Sequence, residues 1–301
     1  MSTSRSDKFL SYFIDCMVLR VAKVKRIALL LLITFVPVSP TLAETTECTV
    51  ITSVPIIISK QGVYCFKQNI GTNISTGAAI EIQTNNVTID FNGFKLGGLA
   101  AGLGTSAYGV NATDRLNITL RNGNIRGFSA GIYLVGASGG GHVVEESQLD
   151  GNTWVGIWTD GNGNLLRGNR VIATGGSNVL EDAYGIVSSG SGGSILNNEI
   201  YGTFDEAFEN AFGVYVVSDG TVLQGNRVKQ TESGSGSTYG IYSAGNDNVF
   251  DNNAIINSVE IGTFGINDNE TTSGYCTNNT VLGYTTQNGG CTDGGGNSFS
   301  P

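Results

Sequence analysis

Two short stretches, Tyr184-Gly185-Ile186 and Asn197-Asn198-Glu199-Ile200, decide the fold because both of them come back. The first recurs as Tyr108-Gly109-Val110, Ala130-Gly131-Ile132, Val155-Gly156-Ile157, Phe212-Gly213-Val214, Tyr239-Gly240-Ile241 and Phe264-Gly265-Ile266, with glycines 22, 25, 29, 28, 27 and 25 residues apart. Ala79-Ile80 begins an earlier copy. The second recurs as Gly168-Asn169-Arg170-Val171, Gly225-Asn226-Arg227-Val228, Asn252-Asn253-Ala254-Ile255 and Asn278-Asn279-Thr280-Val281, its asparagines stepping by 29, 28, 27 and 26. Self-similarity at this period is the mark of a repeat architecture, in which one unit cannot bury its apolar face alone and stacking supplies the core.

Each repeat holds short β-branched and aromatic runs separated by Gly and Asn, which reads as short strands joined by tight turns. Gly is 44 of 301 residues, and the 40% hydrophobic content is too high for a disordered chain. Stacked coils turn each strand into part of a parallel sheet. The recurring Ile and Val positions then form inward files. The recurring Asn is expected at a sharp bend, where Asn tolerates the left-handed conformation, and its amide is expected to bond the Asn of the next coil. The fold class that follows is an all-β, single-domain right-handed parallel β-helix. About eight coils of 4.7–4.9 Å each make a rod on the order of 40 Å long.

The first 43 residues stand outside this pattern. Arg20, Lys23, Lys25 and Arg26 precede an apolar run from Ile27 to Val36, and Thr41-Leu42-Ala43 supplies small residues for cleavage. That order is a secretory signal peptide of bacterial type, too short to span a membrane. Residues 1–16 read as an upstream extension, so the true start is Met1 or Met17. The expected organisation is 1–43 removed and 44–301 as the β-helix domain, with an N-terminal cap over 48–76, coils over 77–270 and a C-terminal cap over 271–301. Removal takes six of the 16 Lys and Arg and two of the 25 Asp and Glu, leaving a net charge near −13. Such a surface disfavours nucleic acid, and it disfavours a polyanionic sugar unless Ca²⁺ mediates or charge is strongly local. The expected protein is an exported monomer, periplasmic or extracellular, with no transmembrane segment after cleavage.

Cys48, Cys65, Cys276 and Cys291 remain after cleavage, one close pair near each end. Of three possible connectivities, the local pairs Cys48–Cys65 and Cys276–Cys291 are favoured, because the others tie together the two ends of a rod. The spacing does not fit zinc, and His142 is the only histidine.

The run Cys48 to Cys65, with Pro55-Ile56-Ile57-Ile58 and Gly62-Val63-Tyr64-Cys65, and the coil Asn86-Val87-Thr88-Ile89-Asp90-Phe91-Asn92-Gly93-Phe94 resemble the right-handed parallel β-helix proteins of the pectate-lyase-like superfold. The resemblance covers nearly all of 48–301. It implies a fold shared by lyases, hydrolases, esterases, epimerases, adhesins and non-catalytic proteins. It also implies that long loops following the post-Asn strands, here 97–107, 150–154, 173–183, 202–211, 229–238 and 257–263, frame a groove with the strand begun by the Gly-Ile motif. The family's catalytic motifs do not transfer. Trp158-Thr159-Asp160-Gly161 matches the hydrolase Asn-Thr-Asp segment only weakly. The paired Asp, Gly-His-Gly and Arg-Ile-Lys segments, the lyase Arg and Pro motif, the epimerase Asp-Pro-His stretch and the methylesterase patterns are missing.

Three readings of function stay open. The favoured one is glycan binding without catalysis. The residue after each inward Ile or Val should point outward, which sets Tyr133, Trp158, Val187, Tyr215 and Tyr242 in one column. Tyr133, Trp158, Tyr215 and Tyr242 are the binding candidates, since aromatic faces with polar edges suit sugar stacking. The residues before the glycines, Tyr108, Tyr184, Phe212, Tyr239 and Phe264, fall on the inward phase and are expected in the interior. The second reading is a polysaccharide lyase or glycoside hydrolase, which needs two carboxylates at a set separation. Asp160, Glu181, Asp182, Asp205, Glu206 and Glu209 are its candidates, with Arg167, Arg170 and Lys229 as neighbouring cations. The same carboxylates suit Ca²⁺ or plain solvation, so no cofactor is expected beyond possible Ca²⁺. The third reading is a structural or adhesin-like solenoid. His142, after Gly139-Gly140-Gly141, is expected to be structural or exposed.

Overall fold

A computed structural model describes residues 47–177, 182–206, 209–258, 262–269 and 274–300. The expected leader, 1–43, lies outside the described residues. Over the described residues the chain is a right-handed parallel β-helix whose strands form three parallel sheets. One coil shows the order. A front strand, Ala183–Ser189, leads to a middle strand, Ser194–Leu196, then to a back strand, Glu199–Asp205, and the next front strand is Ala211–Val217. The front and back sheets have ten strands each and the middle sheet eleven. Eight of the front strands, from Ala78–Ile82 to Gly262–Asp268, belong to the repeats. Ile56–Ile58 and Tyr284–Gly289 add one rung at each end. The only helix among the described residues is a 3-10 turn, Leu99–Ala101, and none is long and apolar enough to cross a membrane.

The inward files line up as the repeat requires. On the front sheet Ile132, Ile157, Ile186, Val214, Ile241 and Ile266 are register partners in turn. Leu166, Ile195, Leu223, Phe250 and Cys276 do the same on the middle sheet. Val171, Ile200, Val228, Ile255 and Val281 do so on the back sheet. All belong to one core and are fully buried. Burial of each such side chain stabilises by about 1.5–3 kcal/mol as an upper estimate, which is why the pattern persists through unequal coil lengths.

The repeated glycine has a steric cause. A Cβ at Gly109, Gly131, Gly156, Gly185, Gly213, Gly240 or Gly265 would lie 2.5–2.9 Å from a carbonyl oxygen of the following coil. It would also strike the inward back-sheet side chain of its own coil, such as Ile200 at Gly185 or Val228 at Gly213. Gly and the Ile or Val after it therefore both face the interior. This breaks the alternation at the glycine and returns the preceding residue to the outer side. The expectation that Tyr108, Tyr184, Phe212, Tyr239 and Phe264 sit inside is corrected on this ground: the first four pack with the outward aromatics, and Phe264 stacks on Tyr239.

The asparagine turn divides its labour between two residues. The left-handed conformation falls on the residue before the recurring Asn: Gly168 (φ 63°), Asn197 (53°), Gly225 (68°), Asn252 (53°) and Asn278 (55°). The recurring Asn is buried and forms a ladder. Nδ2 of Asn169, Asn198, Asn226 and Asn253 each donates to Oδ1 of the next Asn at 3.0 Å, and Asn279 passes the ladder on to Asn297 at 3.1 Å. The same Oδ1 accepts the backbone N–H of the Asn below it. Nδ2 also donates to the Val144, Leu166, Ile195 and Leu223 carbonyls on the middle strand of the preceding coil. The bend is where the sequence pattern put it, and the residue taking φ > 0 is one position earlier than expected.

His142 belongs to a similar file at the front-to-middle turn. Its Nδ1 accepts the Ile118 N–H at 3.3 Å, and its own N–H donates to Asn164 Oδ1 at 2.9 Å. Burial pushes the imidazole down to about 4, so it stands neutral, in a role that Asn164 and Asn248 fill in other coils. The disulfides close the pairs Cys48–Cys65 and Cys276–Cys291, with Cα atoms 5.7 and 5.9 Å apart.

Candidate functional site

The outer face of the front sheet carries two aromatic columns. Register places Tyr133, Trp158, Val187, Tyr215 and Tyr242 in one of them. Tyr108, Ala130, Val155, Tyr184, Phe212, Tyr239 and Phe264 form the other. The columns are complementary. Where the second holds only Ala130 and Val155, the first holds Tyr133 and Trp158, and Trp154 folds in from the preceding turn. Ala130, Val155 and Val187 form the buried floor of this cluster. The rings above it are half-buried, apart from the more deeply covered Phe212.

Two kinds of ring packing divide the belt. Over later coils the rings stack along the axis. Tyr184 on Phe212, Phe212 on Tyr239 and Tyr239 on Phe264 have centroids 4.8–5.3 Å apart and planes within 8° of parallel. Tyr215 on Tyr242 is stacked likewise, 5.1 Å apart. These rings cover each other's faces and turn their edges outward. Around Tyr133, Trp154 and Trp158 the rings are tilted by 43–68° with centroids 5.4–5.7 Å apart, although Tyr133 also stacks on Tyr108 at 4.7 Å and 17°, so the more open rings are the two tryptophans. A ring tilted against its neighbours keeps part of a face uncovered. Trp154 was not singled out in the sequence, because it lies in a turn outside both repeated motifs.

The carboxylate candidates are placed at both borders of this sheet. Asp160 follows the strand Val155–Thr159 and accepts Trp158 Nε1–H at 2.7 Å and Gly136 N–H at 3.2 Å. Asp182 precedes Ala183–Ser189 and accepts from Asn210 N at 2.8 Å and Tyr184 Oη at 2.9 Å. A full front strand separates the two borders, a span on the order of 20 Å. Asp205 is buried at the border shared with Asp182 and accepts Glu209 N–H at 3.1 Å. Glu206 is exposed, Glu209 is half-buried, and Glu181 lies outside the described residues. Asp182 and the residues Asp205, Glu206 and Glu209 thus come onto adjacent turns, while Asp160 does not join them. The named cations stand elsewhere. Arg167 pairs with Glu145 on the middle sheet at 2.5 Å, Arg170 pairs with Glu199 on the back sheet at 3.1 Å, and Lys229 is also a back-sheet residue. Among the described residues, no cluster of three or more His, Cys, Asp and Glu side chains is arranged to hold a metal.

The groove expected from loops is reshaped as well. Residues 173–175, 202–205 and 229–233 continue the back strands, so the loops expected there begin only after 175, 205 and 233. Open depressions lie beside the aromatic columns rather than on them, and one of about 410 Å³ at the start of the front sheet is lined by Pro55, Ile57, Thr76, Ala78 and Glu81. Another of about 600 Å³, lined by Asn122, Asn124, Glu146, Gln148 and Arg170, sits over the turn between middle and back sheets. Beside Asp160, Tyr133 has its phenol pKa pushed up by burial first, then by Tyr108 and by the Asp160 charge. Tyr215 is pushed up by burial, then by Tyr242 and Asp182.

No family model and no curated protein matches the chain. Several solved structures are similar at low identity. The A-module of the Azotobacter vinelandii mannuronan C-5 epimerase AlgE4 is 14% identical over 77% of this chain and 81% of its own, with a TM-score of 0.45. The AlgE6 A-module of the same organism is 15% identical over 79% and 80%, with a TM-score of 0.42. The catalytic domain of a GH87 α-1,3-glucanase in complex with nigerose is 11% identical over 84% and 64%, with a TM-score of 0.31. Likeness at this level assigns neither a site nor a substrate, and the fold stands on the sheet topology alone.

Proposed function

We propose that the protein is an exported, non-catalytic β-helix that holds a polysaccharide or cell-surface glycan chain against its front sheet. The contact is centred on Tyr133, Trp154 and Trp158, and Tyr215 and Tyr242 add ring edges and hydroxyls to the same face rather than open ring faces. The observation that carries this reading is the tilted ring group around Trp158, half-buried over a floor of Ala130, Val155 and Val187. Uncovered aromatic faces bordered by hydroxyl and indole groups are suited to the apolar face of a sugar ring. One coil per 4.7–4.9 Å repeats the platform along an extended chain. Export is supported by the basic, apolar and small-residue order of 17–43 and by two disulfides, which persist in oxidising compartments. The working form is 44–301, acting as a monomer.

Asp160 stands a front strand away from Asp182, Asp205, Glu206 and Glu209, and Arg167, Arg170 and Lys229 stand on other sheets, which favours binding over hydrolysis. A structural solenoid is the second reading, and the face-to-face stacking from Tyr184 to Phe264 favours it for that part of the belt. The test is retention of purified 44–301 on a panel of polysaccharides, with release of reducing or unsaturated ends scored in parallel. The binding reading expects retention of at least one polymer, loss of it in Trp158→Ala, and no released ends. Retention unchanged in Trp158→Ala, or no retention on any polymer, overturns it.

A further inference from the structure

The outer charges of the solenoid are sorted by sheet. From residue 155 onward the Lys and Arg residues are Arg167, Arg170, Arg227 and Lys229, and each stands on the middle or back sheet. The four ion pairs among the described residues, Asp90–Arg121, Asp150–Arg126, Glu145–Arg167 and Glu199–Arg170, lie on those two sheets as well. The front sheet and its turns from 155 onward carry acids and no cation. Asp160, Asp219 and Asp247 stand at one border, and Asp182, Glu206 and Glu209 at the other. Asp160 and Asp182 accept their hydrogen bonds from the neutral donors Trp158, Gly136, Asn210 and Tyr184. Their charges are therefore fixed in place beside the belt, and neither forms an ion pair among the described residues; Arg115, the cation of the front-to-middle turns on this side, stands two coils before Asp160.

We propose that the glycan held on the front sheet is an amino-sugar polymer with free, protonated amines, its cationic groups lying between the Trp158 ring group and the carboxylates of Asp160 and Asp182. This rests on the glycan-binding reading above and names its ligand class. Two attractions then act together. An ammonium over Trp158 or Tyr133 gains from the negative face of the ring. The bordering carboxylates supply the opposite charge, and they pre-exist, so no side chain has to be ordered on binding. A polyuronate on the same face would place like charges side by side without a compensating cation, which costs several kcal/mol. The phenols of Tyr133 and Tyr215 are raised first by burial, next by a neighbouring tyrosine, and last by the Asp160 and Asp182 charges.

The experiment measures retention of 44–301 in gels containing partly deacetylated poly-N-acetylglucosamine, its fully acetylated form, polygalacturonate or poly-L-lysine, at a pH where the amines are protonated. Three proteins are compared: wild type, Asp160→Asn with Asp182→Asn, and Glu47→Gln with Glu146→Gln as a charge-matched change away from the front sheet. The proposal expects retention on the deacetylated polymer, weaker retention on the acetylated one and none on polygalacturonate. The Asp160 and Asp182 pair should lose about threefold to tenfold in affinity, as two exposed charges warrant. The control pair should lose nothing. Added salt should weaken wild type and leave the Asn pair flat, a difference that misfolding would not produce. Equal retention of the acetylated and deacetylated polymers, an equal loss in the control pair, or equally strong retention on poly-L-lysine overturns it. If Trp158→Ala abolishes retention while polymer charge makes no difference, the charge inference fails and the glycan reading survives. If wild type is retained by no sugar polymer, the glycan reading itself has failed.

Discussion

The asparagine ladder and the aromatic belt are both stacks with one residue per coil, yet one is uniform and the other is not. Asn169, Asn198, Asn226, Asn253 and Asn279 are at most 1% exposed, and no other residue type takes their place through five coils. The column Tyr133, Trp158, Val187, Tyr215, Tyr242 changes residue type from coil to coil and stays half-exposed over much of its length. A buried turn has a fixed set of donors and acceptors to satisfy, and Asn alone supplies one acceptor and two donors at that reach. An outer position on a β-sheet is satisfied by many side chains, so variation there is free to serve a ligand. Uniformity marks structure in this molecule, and variation marks the surface on which a function can be built.

The largest effect should come from breaking the uniform stack. In Asn226→Ala, Asn198 loses the acceptor for its N–H and Nδ2, and the Ile195 carbonyl loses a donor. Buried orphans cost about 1–3 kcal/mol each, so a loss of roughly 3–5 kcal/mol is expected in denaturant unfolding. Asn197→Gly, one position before the next rung down, should change stability by less than about 0.5 kcal/mol, because Gly168 and Gly225 already occupy the equivalent position at positive φ. Similar losses in the two variants would mean that the ladder bonds are not what holds the turn.

His142 sharpens the same rule through pH. Its folded value of about 4 lies below the ordinary value of 6.5, so the unfolded chain binds the proton first as pH falls. Its contribution is fully present above about 6.5, declines as pH falls and is lost by about 4, on the order of 3 kcal/mol in all. His142→Asn keeps an acceptor for the Ile118 N–H and removes the titration. The wild-type minus variant difference in unfolding free energy should therefore shrink between pH 7 and pH 4, and a constant difference would refute the assignment. Gly213→Ala comes next, at about 2–3 kcal/mol, because the added methyl strikes Val228 and approaches the Gly240 carbonyl to 2.6 Å. A neutral result would show that the coils can part to admit a methyl group.

The fold was legible because burial imposes a period, and the same reasoning explains where the sequence misled. Ile132, Ile157, Ile186, Val214 and Ile241 could be read as an inward file because each answers to the coil below and above it. Simple alternation then put Tyr184 and Phe212 inside, since nothing in a one-letter pattern reveals that Gly185 faces inward together with Ile186. The left-handed residue was placed one position late because Asn197-Asn198, Asn252-Asn253 and Asn278-Asn279 offer two asparagines to choose between, and only Gly168 and Gly225 hint at which one bends. The belt was half legible, its Tyr133 and Trp158 column from register and its Trp154 from nothing repeated. Asp160 and Asp182 looked like partners because loop positions were carried over from a resemblance, whereas strand geometry puts them at opposite ends of the front strands.

The smallest stability effect should appear in the variable stack, and there it should separate two parts of the belt. Trp158→Leu keeps apolar bulk over Val187 and removes a flat ring among tilted neighbours. Phe212→Leu keeps bulk in the stacked part, where the ring lies between Tyr184 and Tyr239. An aromatic pair contributes about 0.5–1.5 kcal/mol beyond its buried area, so both variants should remain folded and Phe212→Leu should lose more. Ligand retention should invert that order. Trp158→Leu should weaken glycan retention about tenfold or more, as a central aromatic anchor does, while Phe212→Leu leaves it nearly unchanged. The two orders must differ because a ring whose faces are already covered by neighbours has none to offer a sugar. If Phe212→Leu costs binding as much as Trp158→Leu does, ring tilt is irrelevant and the whole belt acts as one undivided apolar strip.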